Sequence, residues 1–316
     1  MLMKPGCIKS EQLPHASGSG QVKWVFAFTA ILFGLALTSG SGSAGDSPPL
    51  PIVVSILPQK YFVEKIGGDT VSVSVMVPPG SNPEYYEPKP RQMSELARAR
   101  VYFALGVPFE KAWMKKMQAT SPAMAVVQTD AQIAKIRMEG RHSHEKGQAG
   151  HDPHGEADPH VWLAPGPVKV QAAAIRDGLV RAHPAGTARY EENYNRFVQE
   201  LDELDAELKG MLAEKSGSEF LVFHPAWGYF AQAYGLKQVA IEAEGKEPKP
   251  AQLQAAIAQA RQKGIRTIFV QPQHSTKTAE TIAKALGGEV VSADPLAGDW
   301  PGNLREVARK FKASSR

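Results

Sequence analysis

Beyond Pro51 the chain alternates short apolar runs with stretches in which apolar residues recur every three or four positions. Ile52–Leu57 (IVVSIL) reads as a strand and is followed by a helix through Tyr61–Ile66. Val71–Val77 alternates small polar and β-branched residues at period two, the mark of a strand. Residues 90–99 read as a helix, Val101–Leu105 as a strand ending at Gly106, residues 108–117 as a helix and Ala123–Gln128 as a strand. Residues 139–157 break the rhythm. They are rich in Gly, His and charge, with almost no apolar residue, so they cannot bury a core and read as a mobile surface loop. The strongest helical signal covers 185–215, where Tyr190, Tyr194, Phe197, Leu201, Leu204, Leu208 and Met211 form one stripe about 45 Å long. His183-Pro184 marks the boundary before it. The alternation then resumes with strands at 219–223, 238–241, 266–271 and 289–293, interleaved with helices at 226–234, 250–264 and 278–288 and a last helix through Asn303–Lys312.

Such alternation predicts an α/β protein. The expected architecture is two lobes, at 50–184 and 216–316, each a mostly parallel sheet with flanking helices. One long spine helix at 185–215 joins them.

Composition changes this picture little. An apolar content of 43% and a charged content of 22% over 316 residues suit a soluble globular protein long enough for two domains. The formal charge of +4 is weak and Lys and Arg are scattered, which argues against nucleic acid as a partner. The amino terminus adds a location. Lys23 precedes an uncharged apolar run, Trp24–Leu37, and then small residues. That run falls short of the roughly 18–20 residues that span a bilayer. Residues 1–44 therefore read as a signal peptide cleaved near Ala44, with an uncleaved membrane anchor as the alternative because the n-region is long. The single cysteine, Cys7, lies inside that segment. The exported chain would then have neither a disulfide nor a cysteine for lipid attachment, and it is expected in the periplasm as a soluble monomer.

The chemistry lies in the histidines. Five of the nine (His142, His144, His151, His154 and His160) crowd into one stretch beside Asp and Glu, the composition of a binder of borderline divalent metals. Glu84 lies just after the strand at 71–77, His224 directly follows the strand at 220–223, and Asp294 follows the strand at 289–292. Ligands of open α/β sheets bind beyond the carboxyl ends of strands. His160 ends the His-rich loop where Asp-Pro-His passes into Val-Trp-Leu. It is preferred over the His154 of the other Asp-Pro-His because apolar neighbours can fix its ring. Each candidate has a plainer reading: His160 as a turn cap, His224 as a satisfied interior histidine, Glu84 as a solvated loop residue, Asp294 as a turn former before Pro295. His274, in QPQHST, reads as a surface residue, with a substitute donor role as the alternative, and His15 and His183 read as incidental.

Six segments (PPGSNPEYYEP, ADPHVWLAP, LDELDAELKGML, FHPAWGYFAQAYGL, IFVQPQHSTKTAETIAKALGG and SADPLAGDW) together resemble the metal-binding solute-binding proteins of ABC importers, the zinc-uptake (ZnuA/TroA-like) family. They cover nearly everything after residue 50. The resemblance implies a TroA-like fold. It places the family's second and third histidine ligands on His160 and His224, and a carboxylate ligand of many members on Asp294. The first ligand, usually a histidine in a G-x-x-P-H-x-Y-E-P pattern, falls on Glu84. Glutamate is a competent zinc ligand, but it makes the site harder. Manganese-type members also pair two histidines with two carboxylates, so Mn2+ or Fe2+ stands as the alternative cargo to Zn2+. His142, His144, His151 and His154 would form a weaker metal-binding loop, since a flexible segment is not preorganised.

The implied protein is a periplasmic receptor that captures Zn2+ between its lobes and delivers it to an ABC transporter membrane permease. In this family the stiff spine is thought to limit domain motion. A zinc metallohydrolase using the same ligands is the alternative of another class, and a secreted adhesin or metal chaperone a third. The chain has no HExxH, phosphate loop or nucleophile elbow, and four protein ligands would leave no position for a reacting water.

Overall fold

The structure, a computed structural model, describes residues 48–138, 157–242 and 248–314. Residues 1–47, which include the expected signal segment, lie outside the described residues, as do 139–156 with His142, His144, His151 and His154.

The first half contains β1 (Leu50–Val54), α1 (Leu57–Gly67), β2 (Val71–Val75), α2 (Pro90–Leu96), β3 (Val101–Ala104), α3 (Pro108–Thr120), β4 (Ala125–Gln128) and α4 (Pro165–Ala182). A single long helix, α5 (Thr187–Leu212), follows. The second half contains β5 (Glu219–Val222), α6 (Gly228–Ala233), β6 (Lys237–Ala240), α7 (Pro250–Gln262), β7 (Thr267–Val270), α8 (Lys277–Leu286), β8 (Glu289–Ser292) and α9 (Trp300–Ser314). Every strand pairing is parallel. The two sheets share one topology, with strand orders β2-β1-β3-β4 and β6-β5-β7-β8. In each, the order reverses between the first and third strands, which opens a crevice beyond their carboxyl ends.

The expected two-lobed α/β architecture with a long joining helix is thus the observed one. Three details differ. The strand expected over Ile52–Leu57 stops at Val54, because Pro58 begins α1 at Leu57, a turn earlier than expected. The spine runs from Thr187 to Leu212, 26 residues or about 39 Å, shorter than the stripe suggested. Helix α4 was missing from the sequence reading, although Val168, Gln171, Ala172, Ile175 and Leu179 are buried at helical spacing behind a proline start.

The stripe of α5 buries Tyr190, Phe197, Leu201, Leu204, Leu208 and Leu212, and the helix packs on α1, α4 and α9. One apolar core therefore runs from the first sheet through α1, α4 and α5 to α9 and one face of the second sheet. Phe62 of α1 meets Trp300 of α9 edge to face at 5.1 Å. A smaller cluster of Leu221, Phe223, Ile257, Ile268 and Ile282 fills the opposite face of the second sheet under α7 and α8. Because the larger core is continuous between halves, opening them would expose large aromatic area.

The crevice of the first sheet is closed by its own side chain. Glu110, 2% exposed, accepts hydrogen bonds from the Ser55 hydroxyl and from the backbone N–H groups of Leu105 and Gly106. Gly106 has φ of +81°, and a Cβ there would meet the Asp130 carboxylate at 2.4 Å, so only glycine fits. Burial pushes the Glu110 carboxyl up to about 7 against those hydrogen bonds, with the charge of Asp130 adding to the rise. A carboxyl raised by folding stabilises the fold only while protonated, so its contribution is lost as pH rises from about 4.5 toward 7. We expect the melting temperature of the metal-free protein to fall between pH 5 and pH 8, and Glu110→Gln to flatten that slope. A slope unchanged in the variant would contradict the assignment.

Candidate metal centre

The second sheet's crevice holds the candidate site, and strand register assembles it. Val222 of β5 pairs with Ala240 of β6 and with Phe269 of β7. Two residues further along each strand direction stand His224, Glu242 and Gln271, side by side. The ladder carries past the strand ends, with Glu242 N–H donating to the Phe223 carbonyl at 2.9 Å. His224 Nδ1 lies 2.7 Å from Glu242 Oε2, and Gln271 Nε2 donates to the His224 carbonyl at 3.2 Å. The His224 ring is thereby fixed on one side, and its Nε2 lies 3.2 Å from Glu84 Oε1.

Glu84 arrives from the loop after β2, where its N–H donates to Asn82 Oδ1 at 2.8 Å. His160 arrives from the turn before α4. Asp158 Oδ1 accepts both the His160 backbone N–H, at 2.9 Å, and a bond from Nδ1, at 2.8 Å. A carboxylate on Nδ1 sets the tautomer and aims Nε2 outward. The His160 and His224 rings have centroids 5.3 Å apart. Two imidazoles on one tetrahedral zinc, each at about 2.1 Å, place their centroids about 5 Å apart.

Donor atoms of Glu84, His160 and His224 all lie within 4.8 Å of one another. A second set, His224, Glu242 and His274, meets the same criterion. The residues Glu84, His160, Trp162, His224, Gln271, Gln273, His274, Pro295 and Leu296 line a common cavity of about 20 Å³, the room one water or one ion needs. His160 and His224 are 5% and 4% exposed, so charge inside is poorly screened. The buried side-chain oxygens of Gln271 and Gln273 have no donor among the described residues, which leaves two acceptors for a cationic or hydrated occupant. Burial alone would lower the pKa of His224. The Glu242 hydrogen bond and the charges of Glu84, Glu242 and Asp158 outweigh it, and the net shift is upward from 6.5. For His274, burial and the neighbouring His224 bring the pKa below 6.5.

The two halves interlock around this cavity. Trp162 Nε1 donates to the Pro295 carbonyl at 2.6 Å, and Trp300 Nε1 donates to the Trp162 carbonyl at 2.7 Å. The Tyr229 hydroxyl donates to the Asp158 carbonyl at 3.1 Å, so the residue that orients His160 is itself held from α6.

Of the four residues singled out from sequence, Glu84, His160 and His224 are brought together. Asp294 is not in either set. Its Oδ1 accepts from Gln273 Nε2 at 2.8 Å and from the Leu296 N–H at 2.9 Å, the second being the turn-forming bond of its plainer reading. His274, read as a surface residue, is half-buried instead, with its ring stacked 4.9 Å from that of His224. Asp158 and Glu242 were missed. A carboxylate two residues before His160 was a visible signal for the first. Nothing local marks the second, which only the pairing of β5 with β6 brings to His224.

The model of the zinc-uptake complex component A family, periplasmic, matches residues 52–314. A crystal structure of ZnuA superposes with a TM-score of 0.78 at 40% identity, covering 84% of this chain and 99% of that one. The high-affinity zinc uptake system protein ZnuA of Bacillus subtilis (strain 168) is 28% identical over 266 residues, 83% of this chain and 82% of its own. The zinc-binding lipoprotein AdcA of Streptococcus pneumoniae (strain ATCC BAA-255 / R6) is 28% identical over 281 residues, which cover 87% of this chain but only 56% of the lipoprotein. The chain thus spans about half the length of that longer relative. With a family match running through both sheets and the joining helix, the chain belongs to the periplasmic component A family of zinc-uptake complexes.

Proposed function

We propose that this chain is a receptor, not an enzyme, that binds one Zn2+ on Glu84, His160 and His224 and passes it to the membrane permease of an ABC importer. The observation that carries the reading is the pair of buried imidazoles from different halves, each with a carboxylate on Nδ1 and with centroids at the spacing of two ligands on one ion. Three carboxylates, Glu84, Asp158 and Glu242, act on His224. With neutral rings the site is therefore rich in negative charge, and a dication relieves it. The relatives named as zinc-binding or zinc-uptake proteins, and a ZnuA deletion mutant with zinc bound that matches at 40% identity with a TM-score of 0.77, support zinc as the cargo over manganese or iron. A periplasmic location reached by a cleaved signal over residues 1–44 completes the proposal, and the segment 139–156 is a candidate for weaker, additional zinc.

His224→Ala should lower zinc affinity by orders of magnitude in a competition titration, and unchanged affinity would remove the site. Asp158→Asn should cost about 10–100-fold, the usual effect of losing an orienting partner. Zinc has to displace the proton that the raised His224 pKa favours, so apparent affinity should decline as pH falls, starting above 6.5. An affinity flat between pH 8 and pH 6 would contradict the proposed role of His224.

A further inference from the structure

We propose that His274, rather than Asp294, is the fourth zinc ligand, making the site three imidazoles and one carboxylate. The inference rests on the zinc-receptor reading above and deepens it. Structural tetrahedral zinc takes four donors, and Glu84, His160 and His224 supply three. Both candidates for the fourth come from the second half, and three observations separate them.

The first is position. His274 lines the same cavity as the other three, whereas at the Asp294 turn the lining is supplied by Pro295 and Leu296. The second is spacing. The His274 ring stacks on that of His224 with centroids 4.9 Å apart, which puts it within reach of an ion that His224 shares with His160, whose ring lies 5.3 Å from that of His224. The third is availability. Asp294 Oδ1 is engaged by Gln273 and by its own turn. The His274 backbone is pinned by its N–H to the Gln271 carbonyl at 3.1 Å, and its half-buried ring lies against that of His224. That ring shares one donor set with Glu242 and His224, and His224 also belongs to the set with Glu84 and His160, so on zinc binding the His274 ring would turn toward those two.

The chemical consequence is selectivity. Glu84 brings an oxygen donor to the site. With Asp294 as the fourth ligand the set would be two nitrogens and two oxygens, which suits manganese. With His274 it is three nitrogens and one oxygen, which suits zinc. His274 would thus restore the nitrogen-rich set that Glu84 on its own dilutes.

The test uses the full chain and its His274→Ala, His274→Cys, Asp294→Ala and His224→Ala variants, titrated separately with zinc, manganese and cobalt(II). His274→Ala should weaken zinc by at least about 100-fold, beyond the 10–100-fold of an orienting partner, and weaken manganese far less. Asp294→Ala should leave zinc affinity near that of the parent. His274→Cys loaded with cobalt should gain a near-ultraviolet thiolate-to-metal charge-transfer band absent from the parent protein, a signature that a merely structural residue would not give. A His274→Cys protein without that band, or Asp294→Ala carrying the zinc loss instead, overturns the fourth ligand. If His224→Ala also keeps full zinc affinity, the failure belongs to the receptor site itself and not to His274.

Discussion

Two imidazoles from different halves of the chain sit nearly dry, 5.3 Å apart, each backed by a carboxylate. Everything else about this molecule can be understood as holding that pair in place. A buried carboxylate is costly unless paired, and here three of them act on one ring. The crevice is therefore rich in negative charge, which a dication would relieve, as the proposed zinc site requires.

The fold supplies the rigidity this requires. Both sheets have the same strand order and hence the same crevice, but they use it differently. In the first sheet Glu110 enters the crevice and is satisfied there by Ser55, Leu105 and Gly106. In the second sheet His224, just past the end of β5, looks across to Glu84 and His160. In the proposed reading, metal binding falls to one of two similar sheets because the other is filled from within. Around the second crevice, the indole bonds from Trp162 to the Pro295 carbonyl and from Trp300 to the Trp162 carbonyl and the continuous core along α5 oppose wide opening. Loading and release in such a body would rely on side chains and loops rather than on a wide hinge.

Much of this was legible in the sequence. Strand and helix periodicities gave the alternation, and the stripe from Tyr190 onward gave the joining helix. His224 could be found because it follows an apolar strand directly, and His160 because Asp-Pro-His runs into buried Val-Trp-Leu. What escaped depends on pairing across the chain. Glu242 lies 18 residues from His224 and becomes its partner only through the β5–β6 register. His274 reads as a polar loop residue until the β5–β7 pairing sets its loop against His224. Asp294 was ambiguous for the opposite reason: its local context, a carboxylate after a strand, fits a ligand and a turn former equally, and in the structure its Oδ1 serves the turn and Gln273.

The most direct measurement is a crystal structure of the zinc-loaded protein with anomalous diffraction recorded at the zinc edge. The account predicts one strong peak between the halves, about 2.0–2.1 Å from a ring nitrogen of both His160 and His224. A strongest peak held by only one of these rings, or by the histidines of residues 139–156 alone, would contradict it.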